Sequence, residues 1–238
     1  ANPYVRYATP YNEIAAANEV IRSYPEGTTD QAAIYNIAQA HAIRAFAYLN
    51  LAPYFQFGYA AGGRDLPCVP IVTEDTENFT ENPRASVEEV YQLIISDLTY
   101  AIENLEGYVR PDKPRIDVQV ACALRARAYL NIQEWALAAA DAEKALEGYS
   151  PATMAEVSKP FLYDISEHNW IWGYDMQTDV AMENPYATSS AWLRSFSGDG
   201  YSKAWVDEAE RRGLPNISCF IESVNVMGRD KTIKLFEK

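Results

Sequence analysis

Apolar residues fall three or four apart along several stretches of this chain, the spacing that lines one face of an α-helix. The pattern is densest between Arg115 and Pro151. There Val120, Ala121, Leu124, Ala128 and Leu130 predict one helix, and Trp135, Ala138, Ala139, Ala142 and Leu146 predict a second, joined by a tight turn. The small alanine side chains let two helix axes approach closely, and Trp135 is placed to fill the space at the turn. Upstream, Val87, Val90, Tyr91, Ile94, Leu98, Ala101, Ile102 and Leu105 form another stripe. A capping box, Ser86-Val87-Glu88-Glu89, opens it and Gly107 closes it. A longer helix carries Ile34, Ile37, Ala38, His41, Ala45, Tyr48, Leu49 and Ala52. It is opened by Thr28-Thr29-Asp30-Gln31 and runs to about Pro53. The first helix is expected to start at Thr9-Pro10, with Pro at the first helical position. It carries Ile14, Ala17, Asn18 and Ile21 and ends at Pro25-Glu26-Gly27, leaving residues 1–8 irregular.

Residues 53–83 interrupt the helical pattern. Gly62-Gly63 and the prolines at 53, 67, 70 and 83 exclude a continuous helix, and Val69 to Val72 reads as a short extended segment. A connection this long in a compact domain is usually functional or mobile. After Pro151 the periodicity fades. Asn169 to Asp175 is expected to form a short strand with Trp170 and Trp172 on one side, in a core. Residues 176–200 read as irregular, Ser202 to Arg212 as a short helix, and Ile217 to Val226 as an apolar run without clear pattern. The fold class expected is therefore mostly α, with long irregular loops and little β. Residues 1–150 form the helical scaffold and 151–238 a loop-rich, partly extended region. The pair at 115–151 resembles one tetratricopeptide unit, with alanines near the ends of both helices, an aromatic after the turn and a closing proline. That resemblance implies a helical repeat scaffold, because such a pair cannot bury both faces alone.

Composition narrows the function. A net charge of −13 over 238 residues argues against nucleic acid or an anionic membrane surface as partner, since binding there needs a basic patch. No apolar run is long enough to span a bilayer. Cys68, Cys122 and Cys219 are scattered and odd in number, so neither a disulfide framework nor a zinc motif is expected. Seventeen tyrosines and five tryptophans are more than a helical core needs, which directs attention to ring-bearing loops. A sugar ring offers an apolar C–H face to flat aromatics and a rim of hydroxyls to Asp, Asn, Arg and Gln. The 53–83 connection carries Phe57, Tyr59, Arg64, Asp65 and Asn78, and the later irregular stretch carries Trp192 and Arg194. These seven are the candidate ligand-binding residues, Tyr59, Arg64 and Asp65 leading because glycines flank them. Tyr54 and Phe55, nearest the helix, are assigned to packing. The competing role for each ring is to seal the loop against the helices. Catalysis and metal binding find no motif: His41 and His168 lack a nearby nucleophile sequence. Glu88, Glu89, Asp97 and Glu103 are read as solvated helix faces, and His41 as a hydrogen-bonded, half-buried core histidine. No catalytic residue, metal or cofactor is assigned.

Four blocks, in order, give the chain a family resemblance. They are Tyr11-Asn12-Glu13-Ile14 through Ile21; His41 through Leu51, leading into Val69-Pro70-Ile71-Val72; Pro83 through Tyr91, continuing to Leu98; and the helix pair ending in Glu134-Trp135-Ala136-Leu137-Ala138-Ala139-Ala140. Together they resemble the SusD/RagB family over roughly the first 150 residues. The resemblance implies a non-enzymatic, cell-surface lipoprotein of the outer membrane. Such a protein captures oligosaccharide or polysaccharide and hands it to a SusC-like TonB-dependent transporter. It also implies a lipid anchor on a cysteine that is not present in this chain. Members are longer than this chain, and from about Tyr201 no family pattern is found. The alternative is a helical-repeat module that binds peptides or another protein; here the resemblance implies RagB-like peptide uptake.

Overall fold

The computed structural model describes residues 3–78, 81–157, 168 and 170–173; side chains are described from residue 6 onward. The chain divides into two units at Ser150/Pro151, and the first holds nearly all the described structure. Its elements are α1 (Pro3–Ser23), α2 (Gln31–Phe55), β1 (Pro67–Pro70), β2 (Arg84–Ser86), α3 (Val87–Asn104), α4 (Val118–Asn131) and α5 (Trp135–Ala145). The described part of the second unit includes α6 (Met154–Val157). Helices α1 to α5 pack in chain order, each on the next.

Helix α2 is the centre of the unit. Asp30 caps it, accepting from the Ala32 amide at 3.1 Å. Its alanines at 33, 38, 40, 42, 45, 47 and 52 are buried around much of the circumference, because α1 and α3 both press on it. Helix α3 buries the expected stripe, and both halves of its capping box are made. Gly107, with φ +76°, turns the chain out of it as a C-terminal glycine does.

Four sequence expectations need correction. Helix α1 starts at Pro3, not Thr9, and runs through Pro10. Its early turns are held by tertiary contacts that outweigh the local start signal: Tyr7 stacks on Tyr11 (4.6 Å) and edges onto Phe55 (5.2 Å), and the Arg6 guanidinium lies 4.3 Å over the Tyr54 ring. Asp97 does not occupy a solvated face but is 3 % exposed. On α5 Ala138 is buried as expected, but Asp141 and Ala145 are the other buried residues, whereas Trp135, Ala139 and Leu146 are exposed, as is Leu130 on α4. Asp141 is drawn in by Arg125, whose guanidinium donates to both its carboxylate oxygens at 2.7 and 2.9 Å and also to Thr99 at 2.9 Å. Residues 170–173 bend rather than forming a strand, and Trp170 and Trp172 are half-buried. The stretches expected at 202–212 and 217–226, and Cys219, lie outside the described residues. Cys68 and Cys122 are buried and free.

The centre of α2 carries a buried ionic network. Arg44 donates from Nε and Nη2 to the two Asp97 oxygens at 2.8 and 2.7 Å, and from Nη1 to Asn18 (2.8 Å) and Glu74. His41 Nδ1 lies 2.7 Å from Asp97 Oδ1, so His41 is the half-buried, hydrogen-bonded residue expected. One guanidinium thus joins α1, α2, α3 and the connection after β1.

The backbone of that connection and of the end of β1 is held by helix side chains. Tyr11 donates to Pro70 O (2.6 Å), Asn18 to Val72 O (3.1 Å) and Arg22 to Glu74 O (3.0 Å), while the Tyr48 hydroxyl accepts from the Val72 amide at 2.7 Å. Burial pushes the Tyr48 hydroxyl up to about 12, which keeps it a neutral donor and acceptor. Strands β1 and β2 pair antiparallel with a register irregularity between Pro67 and Pro70. Arg84 on β2 donates to Cys68 O (2.6 Å) and Phe55 O (3.1 Å), tying the strands to the end of α2.

Burial alone would push the Glu74 carboxyl up, but its own backbone amide and Arg44 together hold it below the usual carboxylate range. A depressed folded pKa contributes stability above the unfolded value and loses it as pH falls through the folded one. Urea midpoints are therefore expected to fall on acidification from pH 6 to about pH 3.5, below the ordinary carboxylate range of about 4, and to fall less in Glu74→Gln. An equal fall in both proteins would remove Glu74 from the acid response.

Candidate groove between the aromatic turn and the α4–α5 turn

After α2 the chain coils through a short 3₁₀ turn, Tyr59–Ala61, closed by hydrogen bonds from Ala61 N and Gly63 N to Gly58 O (2.9 and 3.2 Å). The first amides of α3 have no partner within their own helix. They donate out to this turn: Val87 N to Leu66 O at 3.1 Å and Glu88 N to Arg64 O at 2.9 Å. The ring-bearing segment is thus bolted to a helix end whose other donors are taken by the Ser86 cap.

Between this turn and the α4–α5 turn lies a groove of about 260 Å³. Phe57, Tyr59 and Ala61 line one side, Tyr91 and Val87 the base, and Leu130, Asn131, Gln133 and Trp135 the other side. Phe57 is 71 % and Trp135 59 % exposed, whereas Tyr91 is buried and its hydroxyl pushed up to about 12 by that burial. Tyr59 meets Tyr91 edge-on at 6.4 Å. Its hydroxyl hydrogen-bonds Glu88, which raises the Tyr59 pKa and, with Gln92 and Arg64, lowers that of Glu88. No lining side chain is ionised at neutral pH.

The structure places the sequence candidates unequally. Phe57 and Tyr59 line the groove. Arg64 stands behind it, its Nε 3.2 Å from Glu88 and its guanidinium 5.8 Å from the Tyr59 ring centre. Asp65 is 90 % exposed, 3.9 Å from Arg64, and does not line the groove. Nor does Asn78, which donates to Glu81 at 3.1 Å. Trp192 and Arg194 lie outside the described residues. Gln133 and Trp135, not among the sequence candidates, also line the groove, and Trp135 is exposed rather than filling the turn. A signal existed: the α4–α5 turn needs a left-handed residue and Asn131-Ile132-Gln133-Glu134 offers no glycine for it. Tyr54 is half-exposed under Arg6 and Phe55 packs on Tyr7.

Comparison with known proteins gives two matches to family models. Residues 1–130 match a SusD-like family described as starch-binding associating with outer membrane, and residues 187–238 match the glutamine synthetase C-terminal domain. Trp192 and Arg194 fall in the second stretch. A SusD-like protein of Bacteroides ovatus is 29 % identical over 128 residues, 52 % of this chain and 22 % of that protein. Among solved structures, a SusD-like carbohydrate binding protein from Bacteroides vulgatus superposes with a TM-score of 0.65 at 32 % identity, covering 73 % of this chain and 37 % of its own. A laminarin binding SusD-like protein superposes with a TM-score of 0.52 at 26 % identity, covering 64 % and 32 %. The chain therefore spans between a fifth and two-fifths of the length of these relatives.

Proposed function

The chain belongs to the SusD-like family, and on that premise we propose that it is a non-catalytic glycan-binding subunit of an outer-membrane uptake complex. It captures oligosaccharide at the cell surface and passes it to a SusC-like TonB-dependent transporter, held to the membrane by a lipid anchor. The observation that carries the binding role is the groove, in which exposed rings converge on a rigid helical frame with no charge among them. Exposed rings held still lose little entropy when a sugar stacks on them, which is the condition for useful affinity from a shallow site.

The test is titration calorimetry of the chain against neutral polysaccharides, α- and β-glucans included. At least one is expected to bind, and Phe57→Ala is expected to weaken it about tenfold, the loss of one stacking contact. If no glycan binds while a peptide pool does, the site is a peptide site of the RagB kind and the glycan reading falls.

A further inference from the structure

The α4–α5 turn carries two features that its packing does not require. Gln133 has φ +66°, the left-handed value in which a non-glycine residue is strained, and it is the one such residue among those described. The turn itself is closed by backbone bonds alone, Gln133 N to Leu130 O at 3.2 Å and Glu134 N to Tyr129 O at 2.9 Å, so glycine would serve it better. Strain of this kind is retained where a side chain is needed. The Gln133 side-chain amide has no hydrogen-bond partner among the described residues, and the residue lines the groove. Beside it, Asn131 spends its NH₂ on Arg127 O at 3.0 Å, leaving its own carbonyl oxygen as an acceptor. The second feature is Trp135, whose large ring borders the same groove and is exposed. Across from it, Tyr59 is already engaged: Arg64 sits by its face, Tyr91 at its edge and Glu88 on its hydroxyl.

From this juxtaposition we propose that the α4–α5 turn is the principal sugar-contacting half of the groove. Trp135 is the stacking platform, the Gln133 and Asn131 amides are the hydroxyl partners, and the ligand is an uncharged pyranose unit. The proposal rests on the glycan reading and gives it a chemistry. The volume, at the lower edge of the roughly 300–1,000 Å³ of small-molecule pockets, suits one ring at a time rather than a long stretch of polymer. The uncharged lining of a chain with net charge −13 offers nothing to neutralise a uronic acid or sulfated sugar.

The test uses a neutral glycan that the whole wild-type chain binds, with polygalacturonate as its charged counterpart. Trp135→Ala is expected to weaken binding about tenfold and Trp135→Phe less, because a smaller ring keeps part of the stacking. Gln133→Gly relieves the backbone, so its thermal midpoint is expected to equal or exceed that of wild type while affinity falls several-fold. Polygalacturonate is expected not to bind. Wild-type affinity in both Trp135→Phe and Gln133→Gly, or tight binding of polygalacturonate, overturns the inference and leaves the glycan reading standing. Trp135→Ala melting early with Gln133→Gly binding normally also overturns it, marking Trp135 as a packing residue. Failure of the wild-type chain to bind any glycan is the separate outcome that removes the reading beneath it.

Discussion

Replacing Arg44 by alanine is expected to destabilise the first unit by about 3–5 kcal/mol, the cost of breaking a buried ion pair from one side. The reason is what remains. Asp97 would keep its place on α3 with no guanidinium to compensate it, and Asn18 and Glu74 would each lose a donor. Among the described residues, His41 stays within reach of Asp97, its Nδ1 2.7 Å from Oδ1. Changing both ends tells whether the network supplies stability or only geometry. In Arg44→Met/Asp97→Leu only the part-exposed Glu74 is left without its guanidinium, and most of the loss is expected to return, as when apolar groups of like volume replace a buried pair. Urea unfolding followed by far-ultraviolet circular dichroism measures all three proteins. A loss under 1 kcal/mol for Arg44→Ala would mean that water reaches the site and the pair is not buried as described.

The same network shows where sequence legibility stops. Helix α3 could be read to its ends because everything that fixes it is local: a stripe on one face, a capping box, a glycine after the last turn. Asp97 could not be read, because its partner is 53 positions away and a lone Asp between apolar residues looks like a solvent-facing charge until Arg44 is placed beside it. The phase of α5 was only partly legible for a related reason. Alanines are small enough to face either way, so Trp135 and Leu146 dominated the apparent stripe, whereas the contact with α4 is made by Ala138, Ala145 and the ion-paired Asp141. The long connection was legible as a place and not as a structure. Its glycines and prolines exclude helix, but the hydrogen bonds that hold it come from Tyr11, Asn18, Arg22 and Tyr48, on other elements. Half of the groove followed from the loop's own rings. The other half needed a turn between two helices to be seen beside that loop.

Gly63→Ala is expected to weaken glycan binding by more than the tenfold of any single ring, while leaving the helices intact. The two adjacent glycines of the aromatic turn do different work. Gly62 has φ +85° with nothing near its missing side chain, so a substitution there meets only backbone strain of about 1–2 kcal/mol. Gly63 has an ordinary φ but no room. A Cβ on it would overlap the carbonyl oxygen of Phe57 and come within 2.7 Å of its carbonyl carbon and 2.9 Å of Gly58 O. All three obstacles are backbone, so no side chain can swing aside and the turn must open. Opening it breaks the Gly63 N to Gly58 O bond and moves Phe57 and Tyr59 together, which removes one wall of the groove rather than one contact. The core of α1 to α4 lies outside this turn, so circular dichroism and the thermal midpoint are expected to change little. Gly62→Asn provides the contrast, since Asn tolerates the left-handed region and should retain near-normal affinity. Calorimetry with the glycan that wild type binds decides the matter. Full affinity in Gly63→Ala would mean that the aromatic turn adds nothing to holding the sugar, and a site with two walls would be ruled out.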